Sequence, residues 1–332
     1  MIQLLSIFNW LNMLGIFIFI SIFSLISISL TVKSYDKFKF KKLSLIDLSS
    51  NFMKMNKFLI WLIISYSITL ITIAATAWLN FPMADSYHWE MPYYWIKHET
   101  IKPFIVLNFR ITSFSFLHEA QFVPFYTFFK KAELTFLVSA FCFILLPFVI
   151  REMAINIGFS REASIFAAFI TTSFTIIIYS YYFGSNDISK SFWILVSIYF
   201  ALEYINKNDK RLLLVIISVL SFCVALGIKN TTVILLPIYL AICILMIKCS
   251  PNKLKTFYII FLSFIFGFLA STTVWLYLNN YLWYGDLRGF KENYLTAIGN
   301  LDYLSIKGRI VRGILYMVSD FGYLPKKLNL YY

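Results

Sequence analysis

Leu212-Leu-Leu-Val-Ile-Ile-Ser-Val-Leu-Ser-Phe-Cys-Val-Ala-Leu-Gly-Ile228 carries no charge, and after only Lys229-Asn-Thr231 a second apolar run extends from Thr232 to Ile247, where Lys248 stops it. Two such runs separated by a few polar residues read as a pair of antiparallel helices that cross a bilayer. A transmembrane helix needs about 20 apolar residues, with about 17 as the lower limit, and its backbone must be satisfied within the segment. Working outward, six further runs have the same character: Leu4 to Val32, Phe58 to Trp78, Leu134 to Ile150, Ser164 to Phe183, Ile188 to Tyr204, and Phe257 to Leu278. Several are short for a span, so polar ends or a locally thin bilayer must complete them. The expected architecture is an all-α, polytopic transmembrane helical bundle of about eight spans.

Composition agrees. Of 332 residues, 60% are hydrophobic, 20% aromatic and only 14% charged, with a mean hydropathy of +0.76. Soluble chains carry roughly 25% charged residues, so the exposed faces of this one require lipid as their solvent. Membrane lipid is thus an expected partner. The excess of 29 Lys+Arg over 16 Asp+Glu, a net charge of +13, reports cytoplasmic loops in a membrane protein. No nucleic-acid partner is expected from it. Cys142, Cys223, Cys243 and Cys249 lie in or beside apolar runs without metal-ligand spacing, and read as small core residues.

Loop charge sets the orientation. Lysines crowd the loop from Lys33 to Lys57; Arg151 and Arg161, then Lys207, Lys210 and Arg211, then Lys248, Lys253 and Lys255 mark every second connection after it. These belong to the cytoplasmic side. The alternate connections, Asn80 to Glu133, Gly184 to Asp187 and Lys229 to Thr231, face outward, as do the amino terminus and the residues after Asn279. The first run has no basic residue before it and no small-residue cleavage site after it, so it reads as a retained helix rather than a signal peptide. Residues 1–57 form an N-terminal helix with its basic loop, and residues 58–332 the core. From Lys291 onward, charge mixed with Ile310, Ile314 and Leu315 suggests an interfacial helix or an incomplete final segment.

The long first external loop, 80–133, holds all three histidines, His88, His98 and His118, with Asp85, Glu90, Glu99, Glu119 and Arg110. Loops of this length are more often functional than connecting. Its aromatics, Trp89, Tyr93, Tyr94 and Trp95 among them, suit short interfacial helices with rings at headgroup depth.

Three positions stand out chemically. Asp85 follows directly on an outward-going run, where apolar wall meets water; desolvation there strengthens a carboxylate as a general base, unless a cation or hydrogen bond opposes it. It equally fits an N-cap of the aromatic stretch that follows. Asp187, in Gly184-Ser-Asn-Asp187, reads either as a cap at the start of a helix or as a second external carboxylate. With Asp85 it can share a divalent ion or divide base and positioning roles. Lys229 breaks the positive-inside trend and reads either as a lysine snorkelling to the interface or as a point charge for a phosphate at headgroup depth. Arg110 and the His118-Glu119 pair are further loop charges. Nucleophilic Cys, Ser-His-Asp and Gly-rich phosphate-loop signatures are absent, and the three histidines have no zinc spacing.

Four segments in order carry a family resemblance: Asp85-Ser-Tyr87-His88-Trp-Glu-Met-Pro92-Tyr-Tyr-Trp95; Arg151-Glu-Met-Ala-Ile-Asn-Ile-Gly158-Phe-Ser160-Arg-Glu-Ala163; Ser185-Asn186-Asp187; and Gly227-Ile-Lys229-Asn-Thr-Thr-Val-Ile-Leu-Leu-Pro237. Together, over Phe58 to Tyr284, they resemble the GT-C superfamily of polytopic membrane glycosyltransferases, in particular bacterial protein O-mannosyltransferases and aminoarabinose transferases. The resemblance implies an inverting transferase that uses a polyprenyl-phosphate-linked sugar donor and a glycan, lipid or protein acceptor of the cell envelope. The active face would be the external side of a bacterial cytoplasmic membrane. Asp85 would deprotonate or position the acceptor, with Asp187 assisting, by way of a divalent metal ion in some relatives. Lys229, Arg110 and His88 would neutralise the leaving phosphate, and Tyr87 and Glu119 would complete the substrate contacts. Those relatives commonly run on into further helices, so a minimal, a truncated and a non-catalytic member are all expectations for a chain of this length. A lipid-linked saccharide flippase would place ionisable residues at span centres, and a polysaccharide polymerase would rely on external arginines; here charges sit at span mouths, and the outstanding groups are carboxylates.

Overall fold

A computed structural model describes residues 12–18, 86–101, 115–130, 136–174, 177–178, 185–206, 210–285 and 287, with the isolated positions 21, 22, 25, 64, 68 and 72. Every regular element among them is helical. Three short helices belong to the first long loop: α1 (Ser86–His98), α2 (Leu117–Ala120) and α3 (Val123–Phe129). The bundle follows as α4 (Phe136–Asn156), α5 (Arg161–Thr172), α6 (Asn186–Asn206), α7 (Leu212–Ile228), a 3-10 turn (Asn230–Leu235), α8 (Leu236–Lys248), α9 (Lys253–Ala270) and α10 (Thr272–Tyr284).

Helix starts follow local chemistry. Ser160 caps α5 by accepting from the Ala163 amide at 3.2 Å, and Asn252 caps α9 by accepting from Lys255 N at 3.0 Å. Pro237 opens α8, where its missing N–H costs nothing. At the far end, Gly285 stops α10 with φ of +70°, a conformation a side chain would strain.

Among the described residues, four helical segments are long and apolar enough to cross a membrane: Leu137–Asn156, Asn186–Asn206, Asn230–Lys248 and Lys253–Ala270. Helix α7 is shorter, at 17 residues, and equally apolar. It packs chiefly against α6 and α9. The bundle buries apolar side chains and also presents them to its surroundings. Large apolar side chains face outward, among them Phe141, Phe148, Ile238, Leu262 and Phe266, the last 65% exposed. Ser139, Ser189, Ser197, Ser218, Thr256 and Ser263 are buried between helices. Small residues allow close helix approach and hydroxyls bond across the interface where lipid supplies no hydrophobic drive. Ser218 thus donates to the Ser197 carbonyl at 2.8 Å and lies 2.8 Å from the Tyr239 hydroxyl, while a Cβ on Gly267 would stand 2.8 Å from Cys223 Cβ.

The basic connections collect at one end of the bundle. Asn156 Nδ2 at the end of α4 donates to Glu203 Oε2 near the end of α6 at 3.0 Å, and Asn206 Nδ2 returns a bond to the Asn156 carbonyl at 2.8 Å. Lys210 Nζ satisfies the terminal α6 carbonyls of Tyr204 and Ile205 at 2.8 and 2.7 Å, which also suits the negative end of the helix dipole. The α8–α9 turn joins the same end through Tyr204 and Thr256 hydroxyls 3.4 Å apart. Arg211 at the head of α7, Lys248 at the end of α8 and Lys253 at the start of α9 share that end.

Three sequence expectations change. The run from Phe257 to Leu278 is not one span: the chain breaks at Ser271, whose extended backbone (φ −71°, ψ 158°) separates α9 from α10. Ser271 Oγ donates there to the Phe268 carbonyl at 3.0 Å. The loop aromatics do not all sit at an interface. Trp95 is 3% exposed and stands edge-on to Phe116, with ring centroids 5.4 Å apart; with Met91, Val123, Leu276 and Ile16 it forms a core cluster under the loop. The His118-Glu119 pair is not a surface feature either, since the two are 0% and 1% exposed. Most of the first two apolar runs, the 57/58 boundary and the residues after 287 lie outside the described residues.

Candidate functional site

Opposite the basic end, α6 begins and α7 finishes. Ser185 Oγ accepts the Asp187 amide at 3.2 Å. Ser185 therefore caps α6, a role the sequence offered to Asp187 itself, and the Asp187 carboxylate is free to bond elsewhere. It meets Lys229. Lys229 follows the last turn of α7, where its amide donates to the Ala225 carbonyl at 3.1 Å while its backbone turns extended (φ −150°, ψ 122°). That departure from helical geometry sends the side chain across to α6. Thr232 holds the turn, its amide donating to Lys229 O at 3.0 Å and its hydroxyl to Ala225 O at 3.1 Å.

Lys229 Nζ lies 2.7 Å from Asp187 Oδ1 and 2.8 Å from Oδ2. Lys190, one turn along α6, places its Nζ 2.9 Å from Oδ1. Ser185 Oγ donates to Oδ2 at 3.3 Å. Two ammonium groups thus converge on one carboxylate, leaving the cluster with a net charge of +1. It is partly open to solvent: the side chains of Asp187, Lys229 and Lys190 are 42%, 33% and 22% exposed. Lys190 was not singled out from sequence, although the Asp187-x-x-Lys190 spacing on a helix is a signal for such a pair.

This wiring bears on the metal reading. Both Asp187 oxygens accept from ammonium groups, and the cation that would share them must first displace Lys229; the arrangement suits ammonium or anion chemistry rather than a divalent-cation ligand. Among the described residues, no group of three or more His, Cys, Asp or Glu side chains is placed to hold a metal ion. Asp85, the other half of the expected carboxylate pair, lies outside the described residues, as does Arg110. Tyr87 and His88 fall in the first turn of α1, which begins directly after Asp85, and only their backbone is described. Glu119 lies in α2 beneath the surface, and the neighbouring His118 ring meets Phe122 edge-on, with centroids 4.8 Å apart.

At the same end of the bundle is an apolar cavity of about 570 Å³ between α2, α3, α4 and the α9–α10 break, lined by Leu117, Pro124, Phe125, Leu137, Phe141 and Thr272. Leu117 and Thr272 of its wall meet α7 at Gly227. A Cβ there would come within 2.9 Å of Leu117 Cδ2 and 3.1 Å of Ser271 Cβ, and Thr272 Oγ1 donates to the Gly227 carbonyl at 3.0 Å. Gly227 stands two residues before Lys229, so the cavity wall and the cationic cluster belong to the same end of the bundle.

The fold and this site define a helical protein with membrane-crossing segments and a polar cluster at one end of its bundle. No family model, curated protein or solved structure matches the chain.

Proposed function

We propose that the chain is a polytopic membrane glycosyltransferase of GT-C type, with about eight spans, that moves a sugar from a polyprenyl-phosphate-linked donor to a cell-envelope acceptor on the external face of a bacterial cytoplasmic membrane. The observation that carries this reading is the Asp187–Lys229–Lys190 cluster, which keeps a net positive charge at the end of the bundle opposite the basic connections. An amphiphile with an anionic head and a hydrocarbon tail is the ligand class that a cationic cluster and an apolar cavity at the same end of the bundle suit. Lys229 supplies a charge-assisted contact to the phosphate, and the cavity takes the first part of the tail.

In the displacement, the acceptor oxygen bonds to the anomeric carbon from the face opposite the phosphate as the carbon–oxygen bond to that phosphate breaks, inverting the centre. The acceptor proton passes to Asp85, which precedes α1. The electron pair leaves on the polyprenyl phosphate, where Lys229 stabilises the charge as it develops. Tyr87, His88 and Arg110 belong to the same loop and would contribute substrate contacts. A divalent ion is a further expectation of the family resemblance, and no step above depends on it.

The test is sugar transfer from a polyprenyl-phosphate sugar in membranes carrying the wild-type chain, Asp85→Asn or Lys229→Gln at matched expression. Asp85→Asn should abolish turnover while donor binding persists, and Lys229→Gln should weaken donor binding. If both variants transfer sugar at the wild-type rate, the site is wrongly assigned.

A further inference from the structure

A cation cluster that receives phosphate has no obvious need of a carboxylate at its centre, since that charge repels the ligand. Asp187 nevertheless occupies the shared position, bound by both ammonium groups. Each ammonium has three N–H donors. Lys229 directs two at Asp187 and Lys190 directs one, so three remain, and among the described residues no other partner is present for them. The cluster therefore keeps donors for an anion while its net charge is held to +1.

We infer that Asp187 is a specificity-determining residue that matches the Lys190–Lys229 cluster to a phosphodiester and weakens its hold on a phosphate monoester. The inference rests on the phosphate reading of Lys229 above. Its logic is charge balance. A polyprenyl-phosphate sugar is a diester with one negative charge, whereas the polyprenyl phosphate left after transfer is a monoester carrying about −1.5 to −2 near neutral pH. A cluster of +2 would retain the product more tightly than the donor. Asp187 removes one unit, and its repulsion acts more strongly on the more highly charged ligand. A unit charge at contact distance in water-like surroundings is worth roughly fivefold in binding. Asp187→Asn should then raise affinity for the monoester about fivefold more than for the diester. Lys190→Gln changes the charge in the opposite direction and should lower monoester affinity more than diester affinity. A purely structural ion pair between α6 and α7 predicts no dependence on ligand charge.

The experiment measures binding to the full chain in detergent at pH 8, with a polyprenyl monophosphate, its methyl phosphodiester, the matching polyprenol and inorganic phosphate as probes. Thermal unfolding of each variant without ligand monitors folding. The inference expects Asp187→Asn and Lys190→Gln to move the monoester-to-diester affinity ratio in opposite directions, with Lys190→Arg close to wild type. Ratios unchanged in both variants, or affinities for the two esters falling together in Asp187→Asn, overturn the inference; if Lys229→Gln still weakens both esters, the phosphate reading survives that failure. Binding of polyprenol as tightly as the esters, with no effect of Lys229→Gln, overturns both. Inorganic phosphate binding as tightly as the lipid monoester would overturn the lipid part of the phosphate reading, and equal binding of diester and monoester by wild type and Asp187→Asn would again overturn the charge-matching role.

Discussion

Thr272 Oγ1 donates to the Gly227 carbonyl at 3.0 Å, tying the first residue of α10 to the penultimate residue of α7. Helix ends leave carbonyls without intrahelical partners, and burial makes an unmet carbonyl costly. Thr272, itself 1% exposed, meets that need from another helix. The break at Ser271 and the end of α7 are therefore one structural unit, with Leu117 of α2 packed onto it and Lys229 two residues away.

The unit should be sensitive to volume at Gly227. In Gly227→Val, the new Cβ must push back Leu117 and, less easily, Ser271, and we expect a loss of about 1–3 kcal/mol from overpacking. Thr272→Val keeps the shape and removes one hydroxyl donor, at about 1 kcal/mol. Chemical or thermal unfolding in detergent checks both. A neutral Gly227→Val would show that α2 does not seat against α7.

Burial of His118 and Glu119 favours a part in the folding of the loop, and binding separates that part from the substrate contact expected of Glu119. Glu119→Ala and His118→Ala should lower the unfolding temperature, while the protein that remains folded binds a polyprenyl-phosphate ligand with wild-type affinity. The check is binding measured below the transition of each variant. A fall in affinity for Glu119→Ala at an unchanged unfolding temperature would return Glu119 to the substrate contacts.

These two pairs of residues mark what was legible in sequence and what was not. Uncharged runs such as Leu212–Ile228 announce helices because a single apolar segment can satisfy its own backbone in lipid only as a helix, and lysines and arginines at alternate connections sort helix ends before any contact is known. The same apolarity hides the break at Ser271: hydropathy is continuous from Phe257 to Leu278, and the local signal is only Ser-Thr-Thr at positions whose bonds are made to α7 and to the preceding turn. Trp95 shows a related limit, since an aromatic, amphipathic loop segment suits a headgroup layer and a protein cavity equally. For Asp187, the helix start was readable, but its partner 42 residues away in sequence depended on α6 and α7 lying antiparallel. Side-chain pairing within the site was therefore beyond the sequence, although each member except Lys190 had been singled out by its position at a span mouth.

The Asp187–Lys229 contact should contribute little to stability despite its short distances. Both side chains are between a third and a half exposed, and exposed ion pairs are typically worth about 0–1 kcal/mol because solvent screens them. Asp187→Asn and Lys229→Gln should each unfold within a few degrees of wild type in 0.15 M salt. Should either variant collapse to an aggregated or protease-sensitive form, the cluster is a structural tie of α6 to α7 and not an open ligand site.

Cys249 offers a direct test of sidedness. It follows Lys248 at the basic end and is exposed, whereas Cys142, Cys223 and Cys243 are buried in the bundle. A membrane-impermeant maleimide should leave the chain unlabelled in intact cells and label it in inverted vesicles, with the signal lost in Cys249→Ser. In that cysteine-poor background, Ser185→Cys introduces a thiol at the cap of α6, next to Asp187, where labelling should occur in intact cells. The two positions must label from opposite sides, because Asp187 begins the helix whose other end Lys210 closes. Labelling of Cys249 from outside would invert the orientation and place the Asp187–Lys229 cluster on the cytoplasmic face, where a donor used for the external envelope could not reach it.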